Sequence, residues 1–227
     1  MAEVAADMVK AGVAAVPLVG GAAVELFDLV LEPSLQKRRD EWLRHLGQVV
    51  DELRHRLEGF DPRDLEGNEE FVSAVLAASV VAVKSHDVEK LRMLRNALVN
   101  SVLPGAPEEY ERMSFLRFID ELMPLHVRML ALLDDPGKWF DDHGLQRPQF
   151  GISSSVVQVI EGGLPEVRGR RDIYDQVGAD LEQRTLAQGS FHGMMTATGA
   201  WASRSSERGK RFLKFISLPG EAVPGYA

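Results

Sequence analysis

Residues 35–57 read LQKRRDEWLRHLGQVVDELRHRL, and their spacing is that of an amphipathic helix. Leu35, Trp42, Leu43, Leu46, Val49, Val50, Leu53 and Leu57 recur by threes and fours. Lys37, Arg38, Asp40, Glu41, Arg44 and Asp51 fill the opposite face. Ser34 is placed to cap the helix, just after Pro33. Working outward, residues 68–84 predict a Val/Ala-rich helix, apolar on most of its circumference and therefore central in a bundle. Residues 87–103 predict a third helix, with Val88, Leu91, Leu94, Leu98 and Val102 on one face. A fourth begins at Pro107-Glu108-Glu109, with acids in its first turn. Pro124 either kinks that helix or starts another running through Leu133. Asp134-Asp135-Pro136-Gly137 reads as a stop.

Upstream, residues 2–16 and 22–31 are helix-compatible and are separated by Pro17, Gly20 and Gly21. Downstream of Asp142 the composition changes. Gly144, Pro148 and Gly151 mark a linker over 143–152. Helices are expected over 153–160, 170–186 and 207–216, and two short strands over 190–197 and 200–203. The domain reading is thus a helical bundle over 1–142, a small second domain over 153–217, and a loose tail over 218–227.

The 227 residues carry 26 basic and 34 acidic side chains, for a formal charge of −8. That balance disfavours nucleic acid and anionic lipid on average. Residues 164–214 run against it, with nine basic and six acidic residues. There is no cysteine, which excludes disulfides, thiolate metal sites and thiol catalysis. Glu3 and Asp7 against Lys10 are the wrong charges for a secretory or transit start, so a cytoplasmic protein is expected.

Two resemblances add to this. Leu181-Glu182-Gln183-Arg184, the strand pair, and the run Arg204-Ser205-Ser206-Glu207-Arg208-Gly209-Lys210-Arg211-Phe212-Leu213 together resemble a winged-helix domain. Thr185-Leu186 stands where many members have Gly-Leu. The whole chain is similar to a group of uncharacterised bacterial helical-bundle proteins. That likeness rests on Val16-Pro17-Leu18-Val19-Gly20-Gly21, on Arg95 through Ser101, and on Phe115 through His126. The resulting expectation is a mainly α chain, an antiparallel helical bundle followed by a small winged-helix-like α+β domain.

Catalytic chemistry finds little support. No two histidines stand three or four apart, and Asp141-Asp142-His143 lacks ligand spacing, so no metal is expected. Ser153-Ser154-Ser155 has no GxSxG context, and neither glycine pair belongs to a phosphate loop. No cofactor or small-molecule substrate is indicated, and the chain reads as a non-enzyme.

Three non-catalytic readings remain. The favoured one is an intracellular regulatory or adaptor protein working through a protein partner or self-association. Its candidate interface is Trp139, Phe140, Phe150 and Trp201, although ordinary interdomain packing is the stronger reading of these four. The second is a conditionally membrane-acting bundle using 11–31, with Val13, Val16, Leu18, Val19, Val24, Leu26 and Phe27 as the inserting residues. Fourteen uncharged residues, 11–24, fit a buried small-residue helix better than a span. The third is a DNA-binding regulator with Arg170, Arg171, Arg208, Lys210 and Arg211 on phosphates. Asp172, Asp175 and Glu182 on the outward helix face argue against it.

Overall fold

The computed structural model describes residue 25 and residues 27–150, 154–189, 193, 195–219 and 221. The chain is mainly α and divides into two units, Met1–Gly105 and Ala106–Ala227. This division falls at Pro104-Gly105, well before the change of composition at Asp142.

In the first unit a π-helical turn, Phe27–Leu31, runs directly into α1 (Glu32–Arg56). Pro33 lies inside the first turn of α1, where its missing N–H costs nothing. Ser34 therefore is not the cap; its hydroxyl donates back to the Val30 carbonyl at 2.9 Å. α2 (Glu69–Lys84) is capped by Asn68, whose side chain accepts from the Phe71 N–H. α3 (Val88–Asn100) is capped by Asp87, which accepts from the N–H groups of Glu89 and Lys90. α1 and α2 run antiparallel. The Trp42 indole donates to the Ser79 hydroxyl at 2.8 Å, and Arg38 donates to the last carbonyls of α2 at Val83 and Lys84. The core joins Trp42, Val49 and Leu53 to Phe71, Ala74, Ala78, Val81, Leu91, Leu94 and Leu98.

The second unit opens with α4 (Glu109–Glu121) and α5 (Pro124–Asp134), so Pro124 starts a new helix rather than kinking the old one. Asp134-Asp135-Pro136-Gly137 is a stop and a restart. Asp135 accepts from the Lys138 N–H and caps α6 (Pro136–Asp142). Then come α7 (Val156–Gly163), capped by Ser155, and α8 (Arg171–Gln183). A single turn, α9 (Ala197–Ala200), precedes α10 (Glu207–Phe215), capped by Ser206. α5 lies at the centre of this unit. Val127 and Met129–Leu133 are all buried, and α6, α7, α8 and α10 pack on it. Phe115 and Phe118 on α4 meet Phe212 and Phe215 on α10, with ring centroids 5.4–5.9 Å apart for three of the pairs.

The winged-helix-like α+β domain is not found. Among the described residues there is no strand, and only isolated bridges join Ser154 to Met195 and Ala187 to Ser205. The second expected strand begins where α9 ends, because Thr196 accepts from the Gly199 N–H and winds that segment into a turn. The expected linker over 143–152 is irregular through Phe150, and Gly151–Ser153 lie outside the described residues. Leu218, placed in the loose tail, is buried.

Candidate functional site

α2 carries the most unusual surface among the described residues. Its inward side presents Phe71, Ala74, Ala78, Val81 and Ala82, all buried. The opposite side presents Val72, Leu76 and Val80 at 37, 44 and 52% exposure. These three stand four residues apart and form one ridge about 12 Å long. Val83 continues it, half-buried, and charge appears only at the ends, with Glu69 and Glu70 at the start and Lys84 at the finish. A surface helix normally turns a polar face to water. A contiguous apolar ridge rimmed by charge is the form of a contact surface. The sequence pattern already showed α2 apolar on nearly every side. It did not show that the described helices leave one side open.

The residues singled out as inserting into a membrane, Val13, Val16, Leu18, Val19, Val24 and Leu26, lie outside the described residues. Phe27 opens the π-helical turn, in which Leu29 is 75% exposed and Val30 and Leu31 are also exposed. No helix among the described residues is long and apolar enough to cross a membrane.

The basic residues nominated for phosphate contacts are mostly engaged. Arg171 pairs with Asp175 at 3.3 Å, Lys210 with Glu207 at 2.7 Å, and Arg211 with Glu111 at 2.7 Å. The hydrogen bonds that Lys210 donates to Glu207 and Arg211 donates to Glu111 raise the pKa of each of these two cations. Arg208 stacks 5.0 Å over the Phe118 ring and donates to the Ser114 hydroxyl at 2.8 Å. Arg170 is exposed at the cap position of α8. Ser114 also borders an open depression of about 420 Å³ with Glu109, Tyr110, Met113 and Arg117, where Tyr110 is 85% exposed.

The four aromatic anchors come together inside the second unit. Trp139 and Phe140 are buried, and the Trp139 indole donates to the Gly163 carbonyl at 2.9 Å. Trp201 packs edge-on to Phe140 at 5.2 Å and against Phe150 at 6.0 Å. Arg147 lies 5.5 Å over Trp201 and is held by Asp141 at 2.7 Å. This is internal packing between α6, α9 and the 143–150 segment, so the residues are not an open anchor.

Among the described residues no group of three or more His, Asp or Glu could hold a metal. Asp141, Asp142 and His143 face different partners: Arg147, Lys138 and the Trp139 carbonyl. One histidine–carboxylate pair, not foreseen in the sequence, ties α5 to α8. His126 Nδ1 accepts from the Met123 N–H, which leaves Nε2 to donate to Asp180 at 3.2 Å. Burial pushes the Asp180 carboxyl up. The hydrogen bonds from Gln176 and His126 and the charge of Arg184 outweigh it and hold the group below its ordinary range. Arg184 reaches on to Glu121 at 3.2 Å, so the network also fastens α4. The arrangement clamps α5, α8 and α4 together.

Comparison of the chain with protein-family models, with curated proteins and with solved structures gives no match.

Proposed function

We propose that this chain is a non-catalytic protein of the cell interior that works as a regulator or adaptor through protein–protein contact. The observation that carries the reading is the ridge Val72–Leu76–Val80 on α2, an apolar helix face of the kind that receives an amphipathic helix from a partner. Ion pairing of Arg171, Lys210 and Arg211 within the second unit weighs against a nucleic-acid role, because phosphate would have to displace carboxylates already in contact.

The test is capture by cross-linking in cells, comparing the native chain with Leu76→Asp. Leu76 is nearly half exposed, so the substitution should change the unfolding midpoint little. A charge at the centre of an apolar contact should lower capture of a defined partner, or of a second copy, by about tenfold or more. Equal capture by both chains, or turnover of a substrate by purified protein, would overturn the reading.

A further inference from the structure

The ridge on α2 carries a charge pattern that fits itself. Glu69 stands three residues before Val72 and Lys84 four after Val80, so both lie on the ridge's own side of the helix, and both are exposed. Between Glu70 and Lys84 the helix has no charge. Along that side the order is acid, Val72, Leu76, Val80, base, with Leu76 at the centre. We infer that the ridge is occupied by the same ridge of a second copy, the two α2 helices running antiparallel about a two-fold axis at Leu76. The inference rests on reading the ridge as a contact surface, and it names the partner.

Symmetry is the first part of the argument. A two-fold contact needs a patch that is complementary to itself. Turned end for end about Leu76, the ridge sets Val72 of one copy against Val80 of the other, and Glu69 opposite Lys84 at both ends. A parallel pair would set acid beside acid and base beside base. The helix dipoles favour the same antiparallel choice, since each positive end then lies beside a negative one.

Shape and size complete it. Ser73 and Ala77 stand four apart beside the ridge, both half-buried, and form a row of small side chains. A Val–Leu–Val ridge seats against such a row, and α2 supplies both. A shallow crossing of about 20° keeps the helix ends within reach of the long Glu and Lys side chains. The face of this 16-residue helix is about 24 Å long and about 10 Å wide, well short of the roughly 800 Å² per partner of a standard stable interface. The pair is therefore reversible, half-formed at a concentration on the order of tens of micromolar.

The test is sedimentation velocity of the full chain from about 1 μM to about 1 mM. The native chain should pass from monomer to dimer over that range, and Leu76→Asp should stay a monomer. Charge then reports direction. Lys84→Glu alone and Glu69→Lys alone should each weaken association about fivefold or more, because each sets like charges together at both ends. An equimolar mixture of these two variants should regain native association, since every end contact of the mixed pair is again acid against base. Two damaged folds would not rescue one another in this way, and circular dichroism and the urea midpoint of each variant check its fold. A native chain that stays monomeric throughout would overturn the second copy. The contact reading would then stand if Leu76→Asp lowers capture of a different protein in cells, and fall if it does not. A dimer that survives Leu76→Asp would overturn the inference in favour of another surface. A dimer lost with Leu76→Asp but indifferent to the charge variants, or not restored by mixing them, would overturn the antiparallel pairing.

Discussion

Gly209 is the residue on which the second unit's geometry turns most sharply. A Cβ there would lie 2.1 Å from the Leu186 carbonyl oxygen, which is backbone and cannot swing away. The same oxygen accepts from the Ser206 N–H at 2.8 Å, so α10 is docked by its first turn onto the end of the α8 segment. Gly209→Ala should cost about 2–4 kcal/mol, as overpacking against a fixed neighbour does. A urea midpoint within a few tenths of a kcal/mol of the native chain's would refute that docking. Thr185, just before Leu186, has φ +57° and sits in the left-handed region that β-branched residues avoid. Its hydroxyl takes a bond from Arg208 at 3.2 Å, which helps hold the strained position. The resemblance to a domain with glycine there flagged the position, but periodicity alone could not. Both features depend on chain segments some twenty residues apart.

At the scale of elements, the helices were legible where apolar spacing and capping agree. Asn68, Asp87, Ser155 and Ser206 each bond an N–H in the first turn of the helix they precede. Misreadings occurred where one residue serves two readings. Pro33 is tolerated as a first-turn proline, and Asp135 both follows α5 and caps α6. The wing was inferred from order along the chain, and order does not specify pairing. The His126–Asp180–Arg184–Glu121 network is not legible in the sequence, because its members are 54 and 63 residues apart across three helices. It makes a prediction with a definite sign. Asp180 titrates below its ordinary 3.8 in the folded chain, so the unfolded chain binds the proton first as pH falls. Its contribution is complete above about pH 5 and is lost as pH drops through the folded value. Asp180→Asn should therefore weaken the fold near neutrality and flatten the decline of the urea midpoint below about pH 4. An unchanged acid limb would show that the clamp does not couple to folding.

For the whole molecule, the question is where the chain can be cut. Composition shifts at Asp142, yet the structural division is at Pro104-Gly105, with Gly105 turning at φ +83°. The discrepancy has a physical cause. Composition averages over surface and core, and the surface charge changes after Asp142 although the core does not. α5 supplies Val127, Met129, Leu130, Leu132 and Leu133 to the same interior that receives Val177, Leu181, Phe212 and Ile216. α4 supplies the phenylalanines that pack on α10. Gly163 adds a second constraint, since a Cβ there would meet Leu132 at 2.8 Å and Phe140 at 3.1 Å, which places α7 tightly on α5 and α6. A chain of residues 106–227 should unfold in one cooperative urea transition, as a complete core does. A chain of residues 143–227 leaves the apolar faces of α8 and α10 without α4 and α5. It should show no cooperative transition and should bind a hydrophobic dye. If the shorter chain unfolded cooperatively with native helix content, the boundary would return to Asp142, and α5 would be a covering element rather than the centre of its unit.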